Sequence, residues 1–65
     1  MATEPEYLTT AEFAELARAS ESTVRYWRHV GYGVMGFRVG RRILYDRAEC
    51  VEWLRSLRAA EVRTA

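Results

Sequence analysis

The chain has 65 residues, 49% of them hydrophobic and 29% charged, with one proline and a formal net charge of +1. Such a composition suits a folded domain rather than a disordered tail, and a length near 60 residues gives a small domain that buries only ~60% of the surface its unfolded chain exposes. So small a core excludes a deep substrate pocket, and the absence of any apolar run near the ~20 residues that span a bilayer excludes a membrane helix.

One domain over residues 1–65 is expected, with an ordered core over about 7–60. The opening Met1-Ala2-Thr3-Glu4-Pro5-Glu6 lacks the basic start and apolar stretch of a secretion signal, so the cytoplasm is the expected compartment. The near-neutral total hides an uneven distribution. Residues 1–21 hold five glutamates against Arg18, a balance of −4; residues 22–47 hold six arginines against Asp46, a balance of +5; residues 48–65 balance at zero. The basic middle is the part a polyanion would meet.

The elements follow in chain order. Thr9 with Glu12, Ser20 with Thr23 and Asp46 with Glu49 each set a cap-forming residue three positions ahead of a polar one. The first and third have glutamate where a reciprocal capping box needs it. The first helix is predicted over about Thr10–Ala17, with Phe13, Leu16 and Ala17 as its apolar stripe. The second is predicted over about Glu21–Val30, with Val24 and Trp27 inward, Val30 closing the end, and Gly31 and Gly33 stopping it. Only Arg18-Ala19-Ser20 separates the two, which makes a helix-turn-helix unit.

Over residues 34–45 the period changes to two. Phe37 and Val39 alternate with Arg38, and Ile43 and Tyr45 with Leu44, so a two-stranded hairpin is predicted with Gly40-Arg41 at its turn. A third helix is predicted over about Arg47–Ala60, its buried stripe made of Cys50, Trp53, Leu54 and Leu57. The first six residues and the last four are expected to be loose. The fold class is therefore mainly α with a small β-hairpin: a helix-turn-helix, a two-stranded wing and a C-terminal helix.

The residues that could do chemistry point to binding instead. His29 has no second histidine or accessible cysteine to share a metal, and no serine–histidine–carboxylate pattern accompanies it. The lone Cys50 falls in an apolar stripe and reads as a buried structural thiol. No catalytic residue, metal or cofactor is expected. On the second helix Arg25, Tyr26 and His29 lie off the core face, where they can meet base edges and phosphates in a major groove ~12 Å wide. Arg28 lies nearer the flank, within reach of Glu12 or Glu15. Ser20 is the expected cap; Ser22 and Thr23 crowd the same helix start, with Ser22 the better candidate for DNA. Arg38, Arg41 and Arg42 sit on or near the hairpin turn, a narrow projection suited to the minor groove or its phosphates.

The run Leu8-Thr9-Thr10-Ala11-Glu12-Phe13-Ala14-Glu15-Leu16, then Ala19-Ser20 and Thr23-Val24-Arg25-Tyr26-Trp27, resembles the excisionase/MerR-like winged helix-turn-helix domains. Arg38-Val39-Gly40-Arg41-Arg42 and Cys50-Val51-Glu52-Trp53-Leu54 continue the likeness in the same order, so that it covers residues 8 to 57. Only a short tail follows the third helix, and in that length the chain resembles the stand-alone phage excisionases, the Xis-type recombination directionality factors. The resemblance implies a non-catalytic protein that binds several sites on double-stranded DNA, bends it and directs an integrase toward excision.

The chain departs from that pattern in three places. Arg18 stands where glycine is usual in the turn between the helices, and the loop Gly31-Tyr32-Gly33-Val34-Met35-Gly36 is glycine-rich where relatives tend to carry a proline. Leu44 and Val51 fall where relatives tend to carry exposed polar residues; if exposed, they offer contacts between neighbouring copies on DNA, in a head-to-tail filament. Two other readings stay open: a small transcriptional regulator with the same fold, and a protein-interaction module whose arginines pair with its own glutamates.

Overall fold

The computed structural model describes residues 6–64, which run β1 (Tyr7–Thr9), α1 (Thr10–Ala17), α2 (Glu21–Val30), β2 (Phe37–Val39), β3 (Arg42–Asp46) and α3 (Arg47–Thr64). The three cap signals become the three helix starts. At α1 the box closes fully: the Glu12 amide donates to Thr9 Oγ1 at 3.2 Å, and the Thr9 amide donates to Glu12 Oε1 at 2.8 Å. At α2 the Thr23 amide donates to Ser20 Oγ at 3.1 Å. At α3 only the forward arm forms, with the Glu49 amide donating to Asp46 Oδ1 at 3.2 Å.

Both helices of the helix-turn-helix end in the same hydrogen-bond pair. After α1 the Arg18 amide donates to Glu15 O at 3.2 Å and the Ala19 amide to Ala14 O at 2.9 Å; after α2 the Gly31 amide donates to Arg28 O at 3.4 Å and the Tyr32 amide to Trp27 O at 2.8 Å. This is the Schellman pattern, which needs a left-handed residue at the first position past the helix. Gly31 supplies it at φ 76°, as glycine does easily; Arg18 supplies it at φ 60°, ψ 39°, as the one non-glycine residue at positive φ among those described. The missing glycine therefore leaves the turn's shape intact, at the cost of backbone strain on Arg18.

The hairpin forms where expected, but it is part of a larger sheet. β3 is the centre of a three-stranded antiparallel sheet of order β1-β3-β2, with Leu8 opposite Tyr45 on one side and Phe37 opposite Leu44 on the other. The segment Tyr7–Thr9 is too short to show an alternation, and its pairing partner is remote in sequence, so no local pattern announces it. Glu6, expected to be loose, is tied down: the Arg47 amide donates to its carbonyl at 2.8 Å. Residues 1–5 and Ala65 lie outside the described residues. The rest of the tail expected to be loose continues α3 as far as Thr64, because Arg55–Thr64 holds good helix formers and neither glycine nor proline.

The core lies between one sheet face and the helices. Leu8, Phe13, Ala14, Val24, Val34, Tyr45 and Cys50 are buried, and Leu16, Ala17, Trp27, Ile43 and Trp53 pack around them. Phe13 is the hub, its ring centroid 4.8 Å from Tyr45, 6.1 Å from Trp53 and 6.2 Å from Trp27. Two expectations for this core are corrected. Val30 does not close it: that side chain is 51% exposed. Leu57, expected in the buried stripe of α3, is 39% exposed, because α3 outruns the small body it packs on. With a helix-turn-helix, a hairpin after it and a closing helix, the architecture is a winged helix-turn-helix.

Candidate nucleic-acid interface

The buried face of α2 fixes what its other face can do. Val24 and Trp27, three residues apart, turn toward Phe13 and the core. At about 100° per residue, Ser22, Arg25, Tyr26 and His29 then share the opposite face, and all four are exposed. Arg28, one turn after Val24, sits at the flank of the buried face and is half-buried. Among the described residues it pairs with neither Glu12 nor Glu15; the ion pair on this helix is Arg25 Nη1 to Glu21 Oε1, at 3.4 Å. Thr23 is half-buried, and its hydroxyl lies 2.9 Å from the capping Ser20 hydroxyl, so both side chains are engaged in starting the helix. Ser22 is the exposed hydroxyl of this first turn, outside the cap.

The wing is set by its turn. Val39 faces Arg42 across Gly40-Arg41, with φ 63° at Gly40 and no positive φ at Arg41. Positive φ at the first central residue alone is the type II′ pattern, which follows the twist of the strands. The register sends the three arginines in different directions. Arg38 is opposite Ile43 on the sheet face that carries Tyr45 and Leu8; Arg42 is opposite Val39 on the other face; Arg41 is at the tip. All three are exposed.

The same register brings together a surface that the sequence pattern did not suggest. Tyr7, Phe37, Val39 and Leu44 share the outer sheet face; the Tyr7 and Phe37 rings meet edge-on at 5.5 Å, and Tyr7, Phe37 and Val39 are 44–51% exposed. Leu44 is half-buried within this patch, and Val51 is half-buried on α3. The signal was available: a two-residue turn pairs Val39 with Arg42, which places Phe37 beside Leu44 and away from Ile43.

Between the N-termini of α1 and α2 and the turn end of the wing runs an open groove of about 270 Å³, lined by Thr9, Thr10, Ala11, Glu21, Arg42 and Ile43. It joins the helix face to the wing, and Glu21 had no part in the sequence-based site. No cluster of metal-ligating side chains exists among the described residues, and no helix there is long and apolar enough to cross a membrane.

A family model described as a helix-turn-helix domain matches residues 7–58, which takes in every element from β1 into α3. The chain belongs to this helix-turn-helix domain family. The family includes excisionase-like proteins, and its fold implies sequence-specific binding to DNA. No curated protein and no solved structure gives a significant match. In this helix-turn-helix domain α2 is the second helix of the unit, the one that enters the major groove in proteins of this architecture.

Proposed function

We propose that the protein binds double-stranded DNA with α2 in the major groove and the wing on the adjacent minor groove, and that it does so as an excisionase directing an integrase toward excision. The observation that carries the DNA-binding reading is the exposed face of α2, where Ser22, Arg25, Tyr26 and His29 stand together while Val24 and Trp27 hold the helix to the core. Arg25 offers a forked donor for guanine, and Tyr26, 62% exposed, an apolar ring edge for a thymine methyl. Arg38, Arg41 and Arg42 fan around the wing turn, suited to phosphates on both sides of a minor groove. Ser22 adds a hydroxyl at the helix start for a phosphate; Arg28, half-buried, and Thr23, tied to the cap, serve orientation more than contact. Engagement of two adjacent grooves by a rigid body favours bent DNA.

The excisionase role rests on the resemblance of residues 8–57 to the excisionase-type domains and on the exposed apolar sheet face. Tyr7, Phe37 and Val39, with Leu44 among them, offer a contact for a neighbouring copy on DNA, a head-to-tail arrangement if the second surface lies elsewhere on the molecule.

Footprinting on an attachment-site region, with protein titrated at fixed salt, tests the function. Arg25→Ala and Arg41→Ala are expected to weaken binding, and each to flatten the salt slope by about 0.9 where its target is a phosphate. Unchanged affinity in both variants would overturn the interface. Protection of one operator without an attachment site would favour a transcriptional regulator. Strictly independent filling of multiple sites, unaltered by Leu44→Glu, would remove the copy-to-copy contact.

A further inference from the structure

Among the described residues that line the groove between α2 and the wing, Glu21 is the acidic one. It opens α2, pairs with Arg25 at 3.4 Å, and lines the groove that also holds Arg42, the residue that closes the wing turn. Both members of the ion pair are exposed, at 62% for Arg25 and 53% for Glu21, so nothing but the pairing and solvent holds them. Helix stability gives a partial reason for a carboxylate here, since it complements the positive end of the helix dipole. That reason would be met as well by a residue turned away from the groove. An anion beside the path of a phosphate backbone has an additional consequence: it repels every duplex equally, whatever the sequence.

From this we infer that Glu21 is a specificity-determining residue, which restrains Arg25 and suppresses binding to the DNA backbone alone. In the free protein the carboxylate occupies the guanidinium that would otherwise take any phosphate. On a duplex without the right base edge, Arg25 gains one phosphate contact and loses one carboxylate, while Glu21 is left facing negative charge. On a duplex that presents guanine O6 and N7, Arg25 gains a bidentate contact that repays the exchange. Discrimination between sequences is thereby widened by lowering the weaker affinity, the repulsive half of a specificity design. The inference rests on the DNA-binding function proposed above.

The test compares the intact protein with Glu21→Gln and Glu21→Asp. Two probes are used: a duplex enriched from a random pool by the wild-type protein, and a scrambled duplex of the same length and composition. Glu21→Gln keeps the shape and removes the charge. It is expected to bind the scrambled duplex about three-fold or more tighter, to narrow the ratio between the duplexes, and to steepen the salt slope by up to about 0.9, one phosphate's worth. Glu21→Asp retains the charge and should stay near wild type on all three readouts. A merely structural role for Glu21 would lower the melting temperature of both variants and weaken both duplexes in proportion, leaving ratio and slope unmoved. That result, or a Glu21→Gln variant with unchanged scrambled-duplex affinity, overturns the inference while leaving DNA binding intact. Absence of any enriched duplex with wild-type protein overturns the proposed function itself, and this inference with it.

Discussion

Replacing Arg18 by glycine should stabilise the protein, although it deletes a charged side chain from a small domain. Arg18 adopts φ 60°, ψ 39° because the Schellman ending of α1 requires a left-handed residue there. For a residue with a Cβ that conformation costs roughly 1–2 kcal/mol. Both native hydrogen bonds at this position come from backbone amides, Arg18 to Glu15 O and Ala19 to Ala14 O, so glycine keeps them. The Arg18 side chain is exposed and forms no ion pair among the described residues, so little else is lost. Against the relief stands the larger entropy of glycine in the unfolded chain, about 0.4–1 kcal/mol. The net gain is about 0.5–1 kcal/mol, which in a domain of this size raises the melting temperature by roughly 2–8 °C. Thermal unfolding followed by far-ultraviolet circular dichroism measures it. Arg18→Ala removes the same charge but retains the strained backbone, and should give no gain. Gly31→Ala runs the exchange in reverse at the end of α2: φ is 76° there and a new Cβ meets nothing within 4 Å, so its cost is conformational, about 1 kcal/mol. The reasoning is refuted if Arg18→Gly melts at or below Arg18→Ala while Gly31→Ala melts with the wild type.

Two further outcomes concern the core. Tyr45 is 1% exposed and its hydroxyl has no hydrogen-bond partner among the described residues, so Tyr45→Phe should raise stability by about 1 kcal/mol in denaturant unfolding; a loss of that size would mean that the hydroxyl is satisfied after all. Cys50 is fully buried, and its thiol is pushed from 9.0 up to about 11, by desolvation first, then by the Asp46 and Glu49 carboxylates, against a smaller opposing effect of Arg47. A raised folded pKa means that the unfolded chain loses its thiol proton first as pH rises. Stability linked to Cys50 is therefore complete below pH 9 and lost between pH 9 and 11, a decline that Cys50→Ala should flatten in urea midpoints taken across that window. A decline of equal steepness in the variant would assign it to other groups.

How much of this molecule could be read from its sequence depends on whether each signal was local. The caps at Thr9 and Ser20, the stop at Gly31 and the turn at Gly40-Arg41 are short-range chemistry, and α1, α2 and the hairpin turn lie where those residues put them. Strand β1 was not legible, since Tyr7–Thr9 acquires its structure only by pairing with Leu44–Asp46. The end of α3 is not legible for a different reason. Its apolar stripe fades after Leu57, but residues 58–64 are mostly arginine, alanine and glutamate and hold neither glycine nor proline to stop the helix. On the interface, periodicity was sufficient to bring Arg25, Tyr26 and His29 to one face with Ser22. It gave no notice of Glu21, because an acidic residue at a helix start already has an ordinary explanation in the helix dipole. Only the distance to Arg25 and the shared groove with Arg42 give it a second one.

The relation between α2 and the wing is a matter of packing, although a six-residue loop with three glycines joins them. Tyr32, half exposed, sets its ring edge-on at 5.9 Å from Trp27 and 5.4 Å from Trp53, and those two indoles meet at 5.3 Å. Two residues further on, Val34 is buried. The loop is thus fastened to α2 through Trp27 and to α3 through Trp53 before β2 begins. Each edge-to-face pair is worth about 0.5–1.5 kcal/mol beyond the area it buries. The two pairs made by Tyr32, backed by the Trp27–Trp53 pair between the helices, restrict how far the wing can swing against α2. A reader of two grooves needs that restriction, since arginines on a freely swinging hairpin would find phosphates without any fixed distance from the bases under α2. On the proposed reading of two grooves, the aromatic residues that look like simple core in the sequence bear on recognition as well, by fixing the spacing between Arg25 on α2 and Arg41 at the wing tip.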